Sequence, residues 1–155
     1  MRVITLPGVV DSLDQLTRFV TEVASDARMA SEARNRLRLA AEEIFTNIVL
    51  HGYADAPAEP DPRRCADDQV VTVESEVRDG RVRLRFKDHA AAFDPTTIPD
   101  PSDLAQPLNE RGIGGLGVYL VRLTMDEFSY QRLDGENVLT IALAATAPSR
   151  FTQQM

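Results

Sequence analysis

The sequence predicts an α+β domain: a two-layer α/β sandwich in which three helices cover one face of a mixed, mostly antiparallel sheet. Two observations carry this prediction. The predicted elements follow the order strand, two helices, two strands, long loop, helix, two strands. Apolar residues recur every three or four positions in the helical segments and every second position in the strands. We expect one domain over residues 1–147 and a flexible tail over residues 148–155.

Composition and charge exclude several classes of protein. No apolar run approaches the roughly 20 residues that cross a bilayer, so no membrane partner is expected. The net charge of −7 argues against direct binding of nucleic acid, which needs a basic face. A single cysteine, Cys65, excludes an intramolecular disulfide, and the N-terminus is too short and mixed for a signal peptide. We therefore expect a cytoplasmic protein.

The first three elements are a strand and two helices. Residues 3–6 read as a short strand closed by a Pro-Gly pair. Ser12 is the predicted N-cap of a helix that reaches about residue 28. Ser31 is the predicted N-cap of a second helix that reaches about residue 50. The buried line of the second helix is predicted to consist of Leu37, Ala41, Ile44 and Ile48.

The second helix also carries a polar row. Glu43, Asn47 and His51 follow one another at four-residue steps, which places them on one side of the helix beside the apolar stripe. Such a row faces the rim of whatever the helix packs on. A solvated helix face with His51 near the C-terminal dipole is an alternative explanation for the row taken alone.

Two hairpins and a long loop make up the rest of the chain. A strand starting at Val70 turns at Asp79-Gly80 into a second strand that alternates apolar and basic residues up to Asp88. Residues 93–109 form a loop long enough to suggest a functional lid. A helix over residues 116–123 follows. Strands over residues 127–131 and 138–142 then flank a turn at Asp134-Gly135.

Four glycines lie within six residues at the start of that last helix: Gly112, Gly114, Gly115 and Gly117. A glycine-rich backbone that opens a helix can approach an anion closely and point free N–H groups at it. The stretch matches the dinucleotide pattern G-x-G-x-x-G, but no strand precedes it and no βαβ unit surrounds it. It also lacks the Gly-Lys-Ser/Thr of a Walker loop and the setting of a eukaryotic kinase loop. A glycine hinge without a ligand is the remaining alternative.

Three separated segments, taken together, resemble the Bergerat-fold (GHKL) ATP-binding superfamily, and most closely its serine-kinase anti-sigma factor branch. The resemblance covers nearly the whole chain. Its first two segments are Glu43-Ile44-Phe45-Thr46-Asn47 with His51-Gly52-Tyr53, and Asp88 with Phe93-Asp94-Pro95. The third is Glu110-Arg111-Gly112-Ile113-Gly114-Gly115-Leu116-Gly117 with Leu120-Val121 and Met125-Asp126-Glu127.

The resemblance implies roles for the polar row of the second helix. Asn47 matches the asparagine that binds Mg²⁺ between the phosphates, a role suited to an amide oxygen. Glu43 matches the general base that accepts the proton of an attacking hydroxyl. His51 matches a position that lines the phosphate side of the site.

The resemblance also implies the remaining ATP-binding residues. Asp88 matches the aspartate that accepts a hydrogen bond from the adenine amino group. Ala90 departs from the glycine usual two residues later, and we expect that departure to bear on nucleotide affinity. The further residues implied to bind ATP are Phe93, Arg111, Gly112, Gly114, Gly115, Gly117 and Asn137, the last at a position where relatives often carry threonine.

The function implied is that of a serine/threonine protein kinase with ATP and Mg²⁺ as cofactors. By resemblance, such a kinase sequesters a sigma factor or similar target and phosphorylates a STAS-like anti-anti-sigma antagonist, in the mechanism called partner switching. Homodimers are common in the resembled branch. The alternative, which Ala90 favours, is a regulatory binding module that sequesters its partner without kinase activity, with or without bound ATP.

Overall fold

The computed structural model describes residues 1–53, 69–99 and 115–146, and these residues form two layers. The predicted α+β sandwich is confirmed: three helices pack on one face of a five-stranded sheet. The strands are β1 (Arg2–Pro7), β2 (Val70–Arg78), β3 (Arg81–Asp88), β4 (Glu127–Leu133) and β5 (Glu136–Ala144). The helices are α1 (Leu13–Asp26), α2 (Ser31–Asn47) and α3 (Gly115–Thr124).

The strand order in the sheet is β1-β2-β3-β5-β4, and all four pairings among the described strands are antiparallel. The parallel component of a mixed sheet is therefore not seen. The reason is the placement of the last hairpin. The connection through α3 sends β4 to the sheet edge, in the same direction as β3, and β5 inserts between them with the opposite direction.

Both predicted Asp-Gly hairpin turns are confirmed. Asp79 and Gly80 have φ of 53° and 71°, and Asp134 and Gly135 have φ of 50° and 82°. Two consecutive positive φ values define the turn whose twist matches that of antiparallel strands. These two turns fix the register of the β2–β3 and β4–β5 pairs, which determines which side chains face the helices.

The alternation predicted for β3 holds throughout the strand. Val82, Leu84 and Phe86 are fully buried against the helix layer, at ~1.5–3 kcal/mol of stabilisation each. The intervening basic residues lie on the open face, where Arg83 pairs with Glu127 of β4, across β5, and Lys87 pairs with Glu74 of the adjacent β2. These pairs are partly exposed and contribute little to stability.

The helices bury the apolar faces that the sequence predicts, but neither predicted N-cap forms. Ser12 already has helical dihedral angles within a 3₁₀ turn at Val10–Ser12, and its side chain caps no helix N–H group. Ser31 is the first residue of α2, and the cap position falls on Ala30. A cap requires extended backbone at the serine, whereas Ser12 has helical dihedral angles and Ser31 already lies within α2.

The end of the second helix also differs from the prediction. The α-helix stops at Asn47 and continues as a π-helical turn over Ile48–Gly52, in which the Tyr53 N–H group bonds the Ile48 carbonyl at 3.0 Å. The wider turn shifts His51 relative to the four-residue spacing from Asn47. No helix in the described ranges is long and apolar enough to cross a membrane.

Candidate active site

A cavity of about 440 Å³ opens at one edge of the sheet, where the end of α2 meets the ends of β3, β4 and β5. Its volume falls within the range of about 300–1,000 Å³ common for small-molecule sites. Its walls are mainly apolar, with a few polar side chains. The polar lining residues are Asn47, His51, Asp88, Tyr130 and Asn137, and the apolar ones include Ile44, Ile48, Val118, Phe128 and Leu139.

Asp88 is the buried carboxylate of this cavity, at the last position of β3 and only 5% exposed. Its Oδ1 accepts hydrogen bonds from Asn137 Nδ2 at 2.9 Å and from the Ala90 N–H group at 3.0 Å. Burial raises the pKa of Asp88, although these two bonds and the charge of Arg132 act in the opposite direction. Both bonds fall on Oδ1, and Oδ2 has no hydrogen-bond partner among the described residues, so it can accept a hydrogen bond from a ligand.

Asn137 lies beside Asp88 in the adjacent strand and connects it to β4. The Asn137 Nδ2 group also donates to the carbonyls of Ala90 at 3.3 Å and Ala91 at 3.1 Å. Its Oδ1 accepts from the Tyr130 hydroxyl at 2.5 Å and from Arg132 Nη1 at 2.9 Å. Neither Tyr130 nor Arg132 was predicted from the sequence as a site residue. The signal for Arg132 was available, because the two-residue turn at 134–135 places it directly opposite Asn137.

Glu43 and Gly117, which the sequence keeps far apart, meet where α2 packs against α3. A Cβ built on Gly117 would overlap the Glu43 carboxylate, with the carboxylate carbon 2.5 Å away. Gly117 lies in the first turn of α3, where backbone N–H groups have no helical partner and the helix dipole is positive. The absence of a side chain at position 117 is therefore what allows an acidic group to lie beside this helix end.

Asn47 and His51 extend the polar side of the site from Glu43. Asn47 is one turn beyond Glu43 on α2, is partly exposed and lines the cavity. Its amide forms no hydrogen bond with the described residues, so its oxygen is available to a ligand. His51 lines the same cavity from the π-helical turn and is exposed.

Phe93 and the segment after it form the outer wall of the cavity. Phe93 is 58% exposed, and Pro95 and Ile98 line the cavity beside it. Arg122 of α3 holds this segment, because its Nη2 donates to the carbonyls of Thr96 at 3.1 Å and Ile98 at 2.7 Å. Arg122 was not predicted as a site residue, because no residue near it in the sequence indicates that its side chain reaches these carbonyls.

Ala90 is buried and packs against the π-helical turn. A Cβ built on Gly52 would lie 3.0 Å from the Ala90 methyl group, closer than ordinary contact. Glycine at position 52 thus leaves space for the methyl group of Ala90. Ala90 also lines the cavity, so its expected bearing on nucleotide affinity stays a prediction.

Three predicted site residues fall outside the described residues: Arg111, Gly112 and Gly114. The predicted lid from residue 100 to residue 109 and the predicted C-terminal tail over residues 148–155 also fall outside them. Gly115 is described as the first residue of α3. The structure thus brings Asn47, His51, Asp88, Phe93 and Asn137 together around one cavity. Glu43 and Gly117 contact each other where α2 meets α3, and neither lines the cavity itself.

A family model described as the histidine kinase-like ATPase domain matches residues 6–143, almost the entire chain. The chain belongs to this family. The resemblance to the GHKL superfamily is therefore confirmed, and the histidine kinase-like ATPase family implies an ATP site. The cavity fits such a ligand, since it joins an apolar chamber with a buried acceptor at Asp88 to a polar mouth at Asn47.

Named relatives of this ATPase domain lie in the serine-kinase branch. Serine/threonine-protein kinase BtrW of Bordetella bronchiseptica is 34% identical over 125 residues, which is 79% of each chain. Serine-protein kinase RsbW of Listeria monocytogenes is 28% identical over 120 residues, 76% of this chain and 70% of the relative. The histidine kinase-like domain described here is thus similar to serine kinases of the anti-sigma factor branch.

A solved structure supports the fold. The crystal structure of the SiaB-SiaC complex from Pseudomonas aeruginosa contains a chain that superimposes with a TM-score of 0.57 at 13% identity. The match covers 92% of this chain and 88% of that chain. At this identity the likeness shows a shared fold.

Proposed function

We propose that this protein is a Mg²⁺-dependent serine/threonine protein kinase that uses ATP to phosphorylate a protein antagonist. The observation that carries the proposal is the contact between Glu43 and Gly117. In that contact the Glu43 carboxylate lies beside the first turn of α3, one helical turn along α2 from Asn47, which lines the cavity that contains Asp88. The two relatives whose names describe protein kinases support the same reaction.

Each end of the site has a distinct task in this proposal. Asp88 accepts a hydrogen bond from the amino group of adenine inside the cavity. The amide oxygen of Asn47 would hold Mg²⁺, a cation that usually keeps several waters and takes phosphate oxygens alongside one or two protein oxygens. The glycines that open α3, with His51 and Arg111, provide the phosphate side. The N–H groups of the helix end and the metal ion together offset the negative charge of the phosphates.

Glu43 acts on the protein substrate rather than on the nucleotide. Its carboxylate accepts the proton of a serine or threonine hydroxyl as that oxygen forms a bond to the γ-phosphorus. The bond between the γ-phosphorus and the bridging oxygen breaks, and ADP leaves with the electron pair. Positioned general bases contribute about 10²–10⁴-fold to a rate, so Glu43 should be important without being the sole source of catalysis.

The partners follow from the family branch. We propose that the protein sequesters a sigma factor or a similar target until an unphosphorylated antagonist, a STAS-like anti-anti-sigma protein, displaces it. Phosphorylation of the antagonist would then reverse the exchange. The relatives' printed names support the kinase half of this scheme, and the sequestration half rests on the resemblance.

A second candidate function is a regulatory module that sequesters its partner without phosphoryl transfer. The buried methyl group of Ala90, which lines the cavity, is the observation that favours it. The pairing of Ala90 with Gly52 weighs against it, because the space left by Gly52 accommodates the methyl group.

Radiolabel transfer separates the two candidates. The purified protein, Mg²⁺ and γ-labelled ATP are incubated with the small antagonist-like protein encoded nearest to its gene. The kinase proposal predicts label on a serine or threonine of that protein, strongly reduced by Glu43→Ala. Tight binding of the antagonist without nucleotide binding or label would instead establish the module. Label transfer that survives Glu43→Ala would exclude the general-base role while leaving the kinase assignment in place.

Asn47→Asp tests the metal site separately. The substitution changes the charge and ligand geometry at the cavity mouth, but it removes no hydrogen bond to the described residues. Mg²⁺-dependent ATP binding should therefore change far more than the melting temperature. An equal loss of both would return Asn47 to a purely structural role.

A further inference from the structure

We propose that Asn137 is a positioning residue that fixes the Asp88 carboxylate for recognition of the nucleobase, and that Asn137 makes no hydrogen bond to the nucleotide itself. Tyr130 and Arg132 hold Asn137 in turn. The inference rests on the proposed binding of ATP. It adds a specificity-determining network that extends from β4 to the base-recognising carboxylate.

The nitrogen end of the Asn137 amide is fully occupied. Asn137 is 6% exposed. Its two N–H donors serve three protein oxygens: Asp88 Oδ1 at 2.9 Å, the Ala91 carbonyl at 3.1 Å and the Ala90 carbonyl at 3.3 Å. A side-chain amide has two donors in total. No donor remains for a base or ribose.

The oxygen end of the amide is occupied as well. Asn137 Oδ1 accepts from the Tyr130 hydroxyl at 2.5 Å and from Arg132 Nη1 at 2.9 Å. An amide oxygen has two lone pairs, so its acceptor capacity is filled. Arg132 also donates from the same Nη1 to the Ala90 carbonyl at 2.9 Å. The amide is thus fixed in one orientation from both ends.

The sheet itself places these groups in a row. Asp88 of β3 pairs with Asn137 of β5, and Asn137 pairs with Arg132 of β4, so the three side chains lie on the same face across three adjacent strands. The Asp134-Gly135 turn sets the β4–β5 part of this register, and the pairing of β3 with β5, which are distant in the chain, sets the rest. The network is therefore a consequence of strand pairing, and it lies on the helix-facing side of the sheet, where the cavity is.

These contacts hold the plane of the Asp88 carboxylate in one orientation. Asn137 Nδ2 and the Ala90 N–H group both bond Oδ1, which leaves Oδ2 for the ligand. An ionised carboxylate only accepts hydrogen bonds, so it favours a base that presents an amino group, as adenine does, over one that presents a carbonyl oxygen, as guanine does. Loss of Asn137 would free the carboxylate to rotate and would weaken that discrimination.

The test is calorimetric titration of ADP and of GDP into the wild-type protein and into Asn137→Ala, Asn137→Thr and Tyr130→Phe. Asn137→Ala should weaken ADP binding by about tenfold to hundredfold and reduce the ADP-to-GDP affinity ratio. Asn137→Thr keeps a hydroxyl donor and should recover part of both. In the kinase assay the same variants should raise the KM for ATP with little change in kcat.

Gln131→Ala is the matched control. Gln131 is exposed, lies between Tyr130 and Arg132 on β4 and faces away from the cavity, so the substitution should leave the affinities for ADP and GDP unchanged. Melting temperatures identify any variant that fails to fold, and Tyr130→Phe, which removes one hydroxyl, then decides the question. An unchanged ADP-to-GDP ratio in folded Asn137→Ala and Tyr130→Phe would overturn the inference and leave the proposed kinase standing. Failure of the wild-type protein to bind ADP would overturn the proposed function, and the inference with it.

Discussion

Gly117→Ala tests the contact on which the kinase proposal depends. The new Cβ would lie 2.5 Å from the Glu43 carboxylate carbon, where ordinary contact begins at 3.4 Å. The carboxylate must therefore move by roughly 1 Å. Because Glu43 is exposed and its carboxylate ends a flexible side chain, that movement costs little stability. Replacement of glycine within a helix also favours the helix by up to about 1 kcal/mol.

Gly117→Ala should reduce the rate of phosphoryl transfer without reducing the stability of the fold. A displacement of about 1 Å at a reacting group can reduce a rate by about 10²-fold. Single-turnover transfer of phosphate from ATP to the antagonist should therefore slow by one to two orders of magnitude, while the melting temperature stays level or rises.

A double-mutant cycle shows whether Gly117 acts through Glu43. In the Glu43→Ala background no carboxylate is left to displace, so Gly117→Ala should have little further effect on the residual rate. An equal reduction in both backgrounds would mean that the methyl group acts on the phosphate side, and the reasoning from the contact would be refuted. A lower melting temperature for Gly117→Ala than for the wild-type protein would contradict the assumption that the Glu43 side chain moves aside at little cost in stability.

Three further substitutions probe the walls of the cavity. Asp88→Asn keeps an oxygen for both internal hydrogen bonds but places a donor toward the ligand, so calorimetry should show ATP binding weakened by about tenfold to hundredfold. Burial raises the pKa of Asp88; wild-type ATP affinity should therefore fall as the pH drops through that raised pKa. The raised pKa means that folded Asp88 binds its proton more tightly than unfolded Asp88. The free energy of unfolding of the wild-type protein should therefore fall as the pH rises from 3.8 through the raised pKa of Asp88. Asp88→Asn should show neither the affinity change nor the stability change with pH. Gly52→Ala crowds Ala90 and should lower the free energy of unfolding in urea by about 1–3 kcal/mol, with recovery in the double variant that also carries Ala90→Gly. Arg122→Ala releases the Ile98 carbonyl and should weaken ATP binding by about threefold to tenfold, with faster amide exchange over residues 96–98.

The two hairpins could be predicted from the sequence because their determinants are local. Alternation in β3 identifies its buried face, and the two Asp-Gly turns fix the β2–β3 and β4–β5 pairs. The β1–β2 and β3–β5 pairings join distant segments and were not predicted. The same turn at residues 134–135 places Arg132 opposite Asn137, so that part of the site was also predictable.

The features that the sequence did not predict depend on packing between distant segments. The end of α2 widens into a π-helical turn that packs on Ala90. The residue types at positions 48–52 do not indicate a π-helical turn. The contact of Glu43 with Gly117 likewise requires α2 and α3 to be packed together. Sequence reasoning identified both residues through the resemblance, but their proximity is a property of the fold.

The rate of phosphoryl transfer at saturating Mg²⁺ and ATP, compared between the wild-type protein and Glu43→Ala, tests the central claim most directly. The proposed mechanism predicts a rate lower by about 10²–10⁴-fold in the variant, with the dissociation constant for ATP changed by less than about threefold, because Glu43 acts on the hydroxyl and not on the nucleotide. A variant that transfers phosphate at nearly the wild-type rate, or one whose defect lies entirely in ATP binding, would contradict that claim.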